Sequence, residues 1–137
     1  FGIRAGQGAS AAALEIPDRF VVPPVECEWT ETITDHDDLN LTDLQNSLSA
    51  IMWRNVGIRR DEDGLKAAAA QVDFWDRYVS QREFDTVPGW ELQNMLLVAR
   101  LMIDSALART ESRGVHFRSD YPETDPAQAS HVTIHQD

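Results

Sequence analysis

The sequence predicts an all-α protein: an antiparallel three-helix bundle with an extended N-terminal connector and an irregular C-terminal tail. Apolar residues recur every three or four positions in three segments of residues 41–114, which is the period of an amphipathic helix. The links between these segments span only a few residues, which favours antiparallel neighbours. Prolines that oppose helix formation lie in the flanking regions, at positions 17, 23, 24, 122 and 126.

Residues 1–15 are rich in alanine and glycine, and we expect them to be the end of a helix that begins upstream of this chain. Their three glycines would make a poor helix alone. Residues 16–40 follow as a connector, because prolines block helix formation there and valines suit extended structure. The one cysteine, Cys27, lies in this connector; it excludes an internal disulfide and fits a cytoplasmic protein.

The first bundle helix is predicted from Leu41 to Val56, because its apolar residues form one stripe. Thr42 and Gln45 have the spacing of a capping box at its start. Gly57 is expected to end the helix. The stripe comprises Leu41, Leu44, Leu48, Ile51, Met52 and Val56.

The second helix is predicted from Glu62 to Arg82, with Asp61 as its N-cap. The third is predicted from Trp90 to Arg113, after a linker that contains Pro88, and Gly114 has the residue type expected just past a helix end. The third helix is apolar over most of its surface, which is typical of a central helix.

Residues 115–137 form the predicted tail, with a short strand expected where Val132-Thr133-Ile134 stand together. His131 and His135 are four positions apart and His116 precedes them, but we predict no metal site, because exposed terminal histidines are far commoner than ligands.

The charge balance excludes several functions. Twelve basic and 23 acidic residues give a formal net charge of −11, which argues against nucleic-acid binding and against adsorption to an anionic membrane. No apolar run approaches the roughly 20 residues of a membrane-spanning helix. The glycine string from Gly2 to Gly8 has the wrong spacing for a dinucleotide fingerprint, so we predict no catalytic, cofactor-binding or metal residue.

Charged and aromatic residues cluster around the predicted end of the third helix, and two interpretations are open. In the first, the cluster is a basic corner that docks another domain, since arginines and aromatic rings are favoured in buried interface patches. In the second, its arginines form ion pairs within the bundle, with Glu111, Asp120 and Glu123 as the acidic partners. The predicted docking residues are Trp53, Arg113, His116, Arg118, Asp120 and Tyr121.

Three blocks of sequence carry a family resemblance. They are IMWRNVGIRR at 51–60, ELQNMLLVARLMI at 91–103 and ESRGVHFRSDYPE at 111–123. In order and spacing they resemble the C-terminal helical domain of L-aspartate oxidase, within the succinate dehydrogenase and fumarate reductase flavoprotein family. The first residues, FGIRAG, also resemble the end of the flavin-domain helix that precedes this domain.

The resemblance implies a helical domain that packs against an upstream FAD-binding domain. The intact enzyme would hold FAD and oxidise L-aspartate to iminoaspartate, the first step of quinolinate synthesis for NAD. This chain would then be a fragment that has no flavin and no activity alone. The alternatives are the same domain of a succinate dehydrogenase or fumarate reductase flavoprotein, or a free-standing acidic helical interaction module.

Overall fold

Helices dominate the computed structural model, which describes residues 2–17, residue 21 and residues 39–134. Most of the predicted connector, together with Cys27 and His135, lies outside the described residues. The elements in chain order are α1 (Gly2–Glu15), α2 (Leu41–Val56), β1 (Arg59–Arg60), α3 (Glu62–Val79), α4 (Val87–Ala108), β2 (Phe117–Arg118) and a 3₁₀ turn (Pro126–Gln128). The prediction of an all-α fold is confirmed.

Helices α2, α3 and α4 pack against one another around one apolar core. The core residues share one face on each helix, as the sequence periodicity predicts. They are Leu48 and Val56 of α2, Leu65, Ala68, Val72 and Val79 of α3, and Leu92, Leu96, Ala99, Ile103 and Ala106 of α4. Helix α1 has no buried residue, so the expected glycine-rich helical segment is present but adds nothing to this core.

Helix α2 has the predicted bounds but a different cap. Asn40 is the N-cap, and its side chain accepts a hydrogen bond from the Asp43 amide at 3.1 Å. Thr42, predicted to cap the helix, instead lies inside its first turn. At the other end, a Cβ on Gly57 would stand 2.3 Å from the Trp53 carbonyl oxygen, so the chain turns there without a side chain.

Helix α3 begins as predicted and ends earlier. The Asp61 carboxylate accepts a hydrogen bond from the Gly64 amide at 2.8 Å, which confirms it as the N-cap. The helix ends at Val79 and not at Arg82, because the Arg82 amide bonds to the Val79 carbonyl three residues back and tightens the chain into a turn.

Helix α4 is shifted toward the N-terminus relative to the prediction. It starts at Val87 because Pro88 stands in its first turn, where the missing N–H costs no intrahelical bond. It ends at Ala108, five residues before the predicted Arg113. Gly114 does have a positive φ of 58°, but it serves a turn in which Arg113 and His116 exchange backbone hydrogen bonds.

A two-residue parallel pair joins the tail to the link after α2. Arg59 lies opposite Phe117, and Arg60 opposite Arg118. The strand predicted at 132–134 is wrong: those residues are irregular in the structure. Their β-branched side chains favour extended backbone, but a strand also needs a neighbour to pair with. No helix within the described residues combines the length and the apolar character needed to cross a bilayer.

Candidate functional site

The segment from Glu111 to Asp125, here called the return segment, crosses the ends of all three bundle helices. Its side chains bond to the last turn of α4 and to the first residue of α3. Its Ser119 amide bonds to the Arg60 carbonyl just beyond α2, at 2.8 Å. The segment therefore links the end of α4 to the start of α3 and to the residues just after α2. Along the chain, α3 and α4 are connected only at their opposite ends.

Arg118 is the centre of the return segment and is 1% exposed. Its guanidinium makes a two-bond pair with the Asp120 carboxylate, at 2.8 and 2.7 Å. Its Nη1 also donates to the carbonyl of Ala106 at 2.8 Å and to that of Arg109 at 3.3 Å. These carbonyls lie at the end of α4, where backbone acceptors lack helical partners and carry partial negative charge. Arg118 thus caps α4 with a buried positive charge.

Asp120 extends the same link to α3. Its Oδ2 accepts a hydrogen bond from the backbone amide of Glu62, the first residue of α3, at 2.9 Å. Hydrogen bonds from Arg118, and then from that amide, lower the pKa of Asp120 to about 2. The partial positive charge of a helix N-terminus favours a carboxylate there. The Arg118–Asp120 ion pair therefore places its positive charge at the negative end of α4 and its negative charge at the positive end of α3.

Glu111 organises the other half of the return segment and has no exposed surface. Its carboxylate accepts from Arg113 Nε at 2.8 Å, from Arg109 Nη1 at 2.5 Å and from the Asp125 amide at 2.6 Å. These bonds, the one from Arg113 being the strongest influence, lower the pKa of Glu111 to about 2. A buried carboxylate is stable only with such partners, so the loop closes around it.

Ser112 fixes the turn between Glu111 and Arg118. Its Oγ accepts from the Arg118 amide at 2.9 Å and donates to the Tyr121 carbonyl at 2.8 Å. The Tyr121 ring lies against the Arg118 guanidinium, 5.0 Å from ring centre to Cζ. These contacts hold the buried arginine in one orientation.

His116 and Arg60 join the return segment to the end of α2. Arg60 Nε donates to the Val56 carbonyl at 2.8 Å, and its Nη1 stands 3.0 Å from His116 Nδ1. Since a guanidinium can only donate, Nδ1 accepts and the neutral ring carries its proton on Nε2. Within the described part of the chain, that buried Nε2 has no acceptor at normal hydrogen-bond geometry, and the Arg109 backbone carbonyl acts on the ring as a weaker acceptor. Burial, and then the charge of Arg60, lower the pKa of His116.

The predicted docking residues thus divide into two sets. The return segment brings together Arg113, His116, Arg118, Asp120 and Tyr121, with Arg113 paired to Glu111 and Arg118 paired to Asp120. Glu123 takes part through its backbone carbonyl, which accepts from the Ser112 amide. Trp53 stands apart on α2 and is 77% exposed. The arginine charges are therefore used within the domain, and a docking role for these residues stays a prediction.

Two contributors were missed at the level of sequence: Arg109 and Ser112. Arg109, Glu111 and Arg113 alternate along the chain, and this spacing places their side chains on one side of an extended segment. The sequence analysis extended the third helix to Arg113, and this assignment hid the alternation. Nothing in the sequence indicates that Arg60 meets His116, which is 56 positions away.

Two mainly apolar grooves lie next to this cluster. A groove of about 420 Å³, here called the junction groove, opens between α4, the end of α2 and the tail; Val56, Val98 and Leu101 line it, and Arg60 and His116 stand at its edge. A second groove of about 380 Å³ lies between α2 and α4. The outward side of α4 connects them and exposes Leu97, Val98, Leu101 and Met102 by 42–56%.

Among the described residues, no phosphate-binding glycine loop and no cluster of metal-ligating side chains is formed. Gly6 and Gly8 lie inside α1, whereas a nucleotide phosphate needs a glycine loop between a strand and a helix. Residues 2–17 and 39–134 contain no group of three or more acidic, histidine or cysteine side chains that could hold a metal. The chemistry of this site is ionic anchoring of a chain segment beside an apolar surface.

Comparison with known proteins identifies relatives among flavoproteins. A 101-residue stretch is 41% identical to an uncharacterised FAD-dependent oxidoreductase of Methanocaldococcus jannaschii, covering 71% of this chain and 19% of that protein. Another of 86 residues is 42% identical to the L-aspartate oxidase of Rhodospirillum rubrum, covering 63% of this chain and 28% of that protein. The chain therefore spans less than a third of the length of these relatives.

A solved structure and a family model agree with these relatives. The Sdh1 of Mycobacterium smegmatis, solved in complex with UQ1, superposes with a TM-score of 0.72 at 34% identity, over 91% of this chain and 23% of that one. The model of the fumarate reductase flavoprotein C-terminal region matches residues 45–137, which include most of α2, all of α3 and α4, and the return segment. The chain belongs to the fumarate reductase flavoprotein C-terminal family.

Proposed function

We propose that this chain is the C-terminal helical domain of an FAD-dependent L-aspartate oxidase. The intact enzyme would oxidise L-aspartate to iminoaspartate for quinolinate and NAD synthesis. FAD would supply the electron acceptance, and it and the substrate would be held by the polypeptide that precedes this domain. The observation that carries the proposal is the return segment, whose ESRG…FRSDYPE sequence folds into the Glu111 and Arg118 clusters.

Within that enzyme, the role we assign to the domain is structural. Helix α4 buries one side in the bundle and exposes apolar residues on its outward side, among them Leu97, Val98 and Leu101. A helix that is apolar all round is usually central, so we expect the FAD-binding domain of the same polypeptide to cover it. Trp53 would contact that domain directly. Arg118 and Asp120 would act indirectly, by holding the ends of α4 and α3 in position.

The test is the substrate preference of the intact flavoprotein, purified with its FAD. We expect L-aspartate to reduce the flavin and iminoaspartate to form, with little reduction by succinate. Flavin reduction by succinate, with none by L-aspartate, would replace this proposal with the alternative that similarity to Sdh1 favours, the same domain of a succinate dehydrogenase or fumarate reductase flavoprotein.

The size of the native gene product tests the fragment part of the proposal. An antibody raised to this chain should detect a band several-fold larger than 15.4 kDa. A band at the size of this chain would instead support a free-standing acidic helical interaction module. The exposed surface of α4 would then bind another protein.

A further inference from the structure

The His116 ring has a neighbour at each nitrogen, and the pair of neighbours fits only its neutral form. Nδ1 lies 3.0 Å from Arg60 Nη1, and because a guanidinium only donates, the Nδ1 lone pair accepts that bond. The Arg109 backbone carbonyl acts on the ring as an acceptor, which suits the proton on Nε2. A second proton can therefore enter only at Nδ1, where it would point at the Arg60 guanidinium.

The charges around the His116 ring oppose that second proton. The arginines that act on it come from three elements: Arg60 from β1, Arg118 from β2 and Arg109 from just after α4. The carboxylates nearest to Arg118 and Arg109 are bonded to those arginines. Burial, and then the charge of Arg60, lower the pKa of His116 below its ordinary value of 6.5.

Arg60 also holds the end of α2 against the return segment. Its Nε donates to the Val56 carbonyl at 2.8 Å. Its backbone carbonyl accepts from the Ser119 amide at 2.8 Å and from the Ser119 hydroxyl at 3.1 Å. The same residue lies opposite Arg118 in the β1–β2 pair. Displacement of the Arg60 side chain would therefore disturb the contact between β1 and β2.

We propose that His116 is an acid-sensitive latch: one proton taken up at Nδ1 displaces the Arg60 side chain and opens the contact between β1 and β2. The rest of the return segment stays closed at that stage, because Glu111 and Asp120 remain ionised until much lower pH. The latch therefore opens before the acid loss that those two carboxylates cause.

The pH window of the latch follows from the proton that it takes up. In the open form, His116 would titrate near its ordinary pKa of 6.5, whereas the closed form resists the proton. Above that value both forms are neutral, and the equilibrium between them does not depend on pH. Below it the open form binds one more proton, so the ratio of open to closed forms should rise about 10-fold per pH unit until the closed form also titrates.

Hydrogen exchange at the Ser119 amide reports the latch, because that amide bonds to the Arg60 carbonyl across the β1–β2 pair. The intact flavoprotein is exchanged at a series of pH values from about 7.5 to about 5, and each rate is corrected for the intrinsic rate at that pH. We expect protection at Ser119 to fall about 10-fold below pH 6.5, while the Val72 amide inside α3 keeps its protection. Constant protection at Ser119 would overturn the proposal.

Two matched substitutions separate His116 from the other titrating groups. His116→Asn keeps an oxygen acceptor near Nδ1 for Arg60 but takes up no proton in this range, so protection at Ser119 should become independent of pH. His131→Asn changes an exposed histidine of the tail and should keep the pH dependence of the parent. An unchanged dependence in His116→Asn would overturn the proposal, and so would its loss in His131→Asn.

Arg60→Gln gives a check that does not alter the histidine. Without the guanidinium, the ring can take up its proton in place, so the fall in Ser119 protection on acidification should shrink to less than about threefold. A fall as large as that of the parent would show that repulsion between His116 and Arg60 does not open the contact, and the proposal would be wrong.

The latch has a consequence for domain docking that rests on the proposed function. Arg60 and His116 stand at the edge of the junction groove, so opening would reshape a surface next to the one assigned to the FAD-binding domain. The latch itself requires only bonds within this domain, and exchange needs no substrate. Acid loss of Ser119 protection in a flavoprotein that does not oxidise L-aspartate would sustain the latch while the proposed function fails.

Discussion

At Arg118, one buried side chain serves two helices, so its loss should be costly. Arg118→Leu would leave the Asp120 carboxylate and the carbonyl of Ala106 without their donor. We expect the free energy of unfolding to fall by about 3 kcal/mol, as for other broken buried pairs. Arg118→Lys should recover little, because an ammonium cannot reproduce the two-bond geometry.

Urea unfolding followed by circular dichroism measures this change. Arg77→Leu is the control, because Arg77 is exposed and its bond among the described residues is to a carbonyl of its own helix, that of Asp73. A loss for Arg118→Leu no larger than that for Arg77→Leu would show that the pair does not hold the return segment.

Glu111 and Asp120 make a pH-dependent contribution. The native pKa of each is lowered to about 2 from ordinary values of 4.5 and 3.8. Because the folded pKa lies below the unfolded one, the stabilisation is full above the unfolded values and is lost as the pH falls toward 2. We expect stability to fall steeply below pH 4.5.

The variant Glu111→Gln tests this assignment. It should be less stable at neutral pH and lose less stability on acidification, as followed by thermal unfolding at a series of pH values. Asn46→Ala, at an exposed position of α2, removes no titrating group; it is the control and should keep the slope of the parent. An unchanged acid slope in Glu111→Gln would contradict the role given to this carboxylate.

At the scale of the element, α4 has two apolar sides with different partners. Leu96 has no exposed surface and Leu97, its neighbour, is 56% exposed. In this chain we expect Leu96→Ala to cost about 3 kcal/mol through lost burial and a residual cavity, and Leu97→Ala to cost less than about 0.5 kcal/mol. Chemical unfolding of the two variants checks the difference, and equal losses would mean that the outward side is already packed.

The helices also show what sequence can predict. Asp61 was identified because a cap acts within three residues, and the start of α3 followed from it. The ends of α3 and α4 were set too far along: a local turn closes α3 after Val79, while Arg118 bonds the carbonyl of Ala106 at the end of α4. Local signals therefore predicted both ends of α2 and the start of α3, whereas a tertiary contact caps the end of α4.

The candidate site follows the same division. Its residue types were visible, because arginine, glutamate and aspartate at such density stand out. The partners of these residues were not visible in the sequence. The pair of Glu111 and Arg113 is local. The bond between Asp120 and the Glu62 amide spans 58 positions and depends on how α3 and α4 pack. The pairing of Arg60 with His116 depends on the same packing.

At the scale of the whole molecule, self-repulsion opposes compactness. The net charge is −11. The ion pairs Glu111–Arg113 and Arg118–Asp120 each include a buried side chain, so salt screens them less than it screens surface charges. We therefore expect the melting temperature of the chain to rise as salt is increased from low concentration to about 0.5 M, because repulsion between surface carboxylates weakens. Differential scanning calorimetry across a salt series measures this, and a falling melting temperature would mean that exposed ion pairs dominate.

The position of the return segment after the three bundle helices has a consequence for synthesis. The three bundle helices leave the ribosome before Glu111 to Asp125, and domains assemble as their segments emerge. Until Arg118 and Asp120 arrive, the last carbonyls of α4 and the first amide of α3 can bond only to water. A chain that terminates before Glu111, by a nonsense codon or by stalling, therefore contains α2, α3 and α4 but lacks the return segment. Such a chain is exposed to the proteases that remove incomplete proteins.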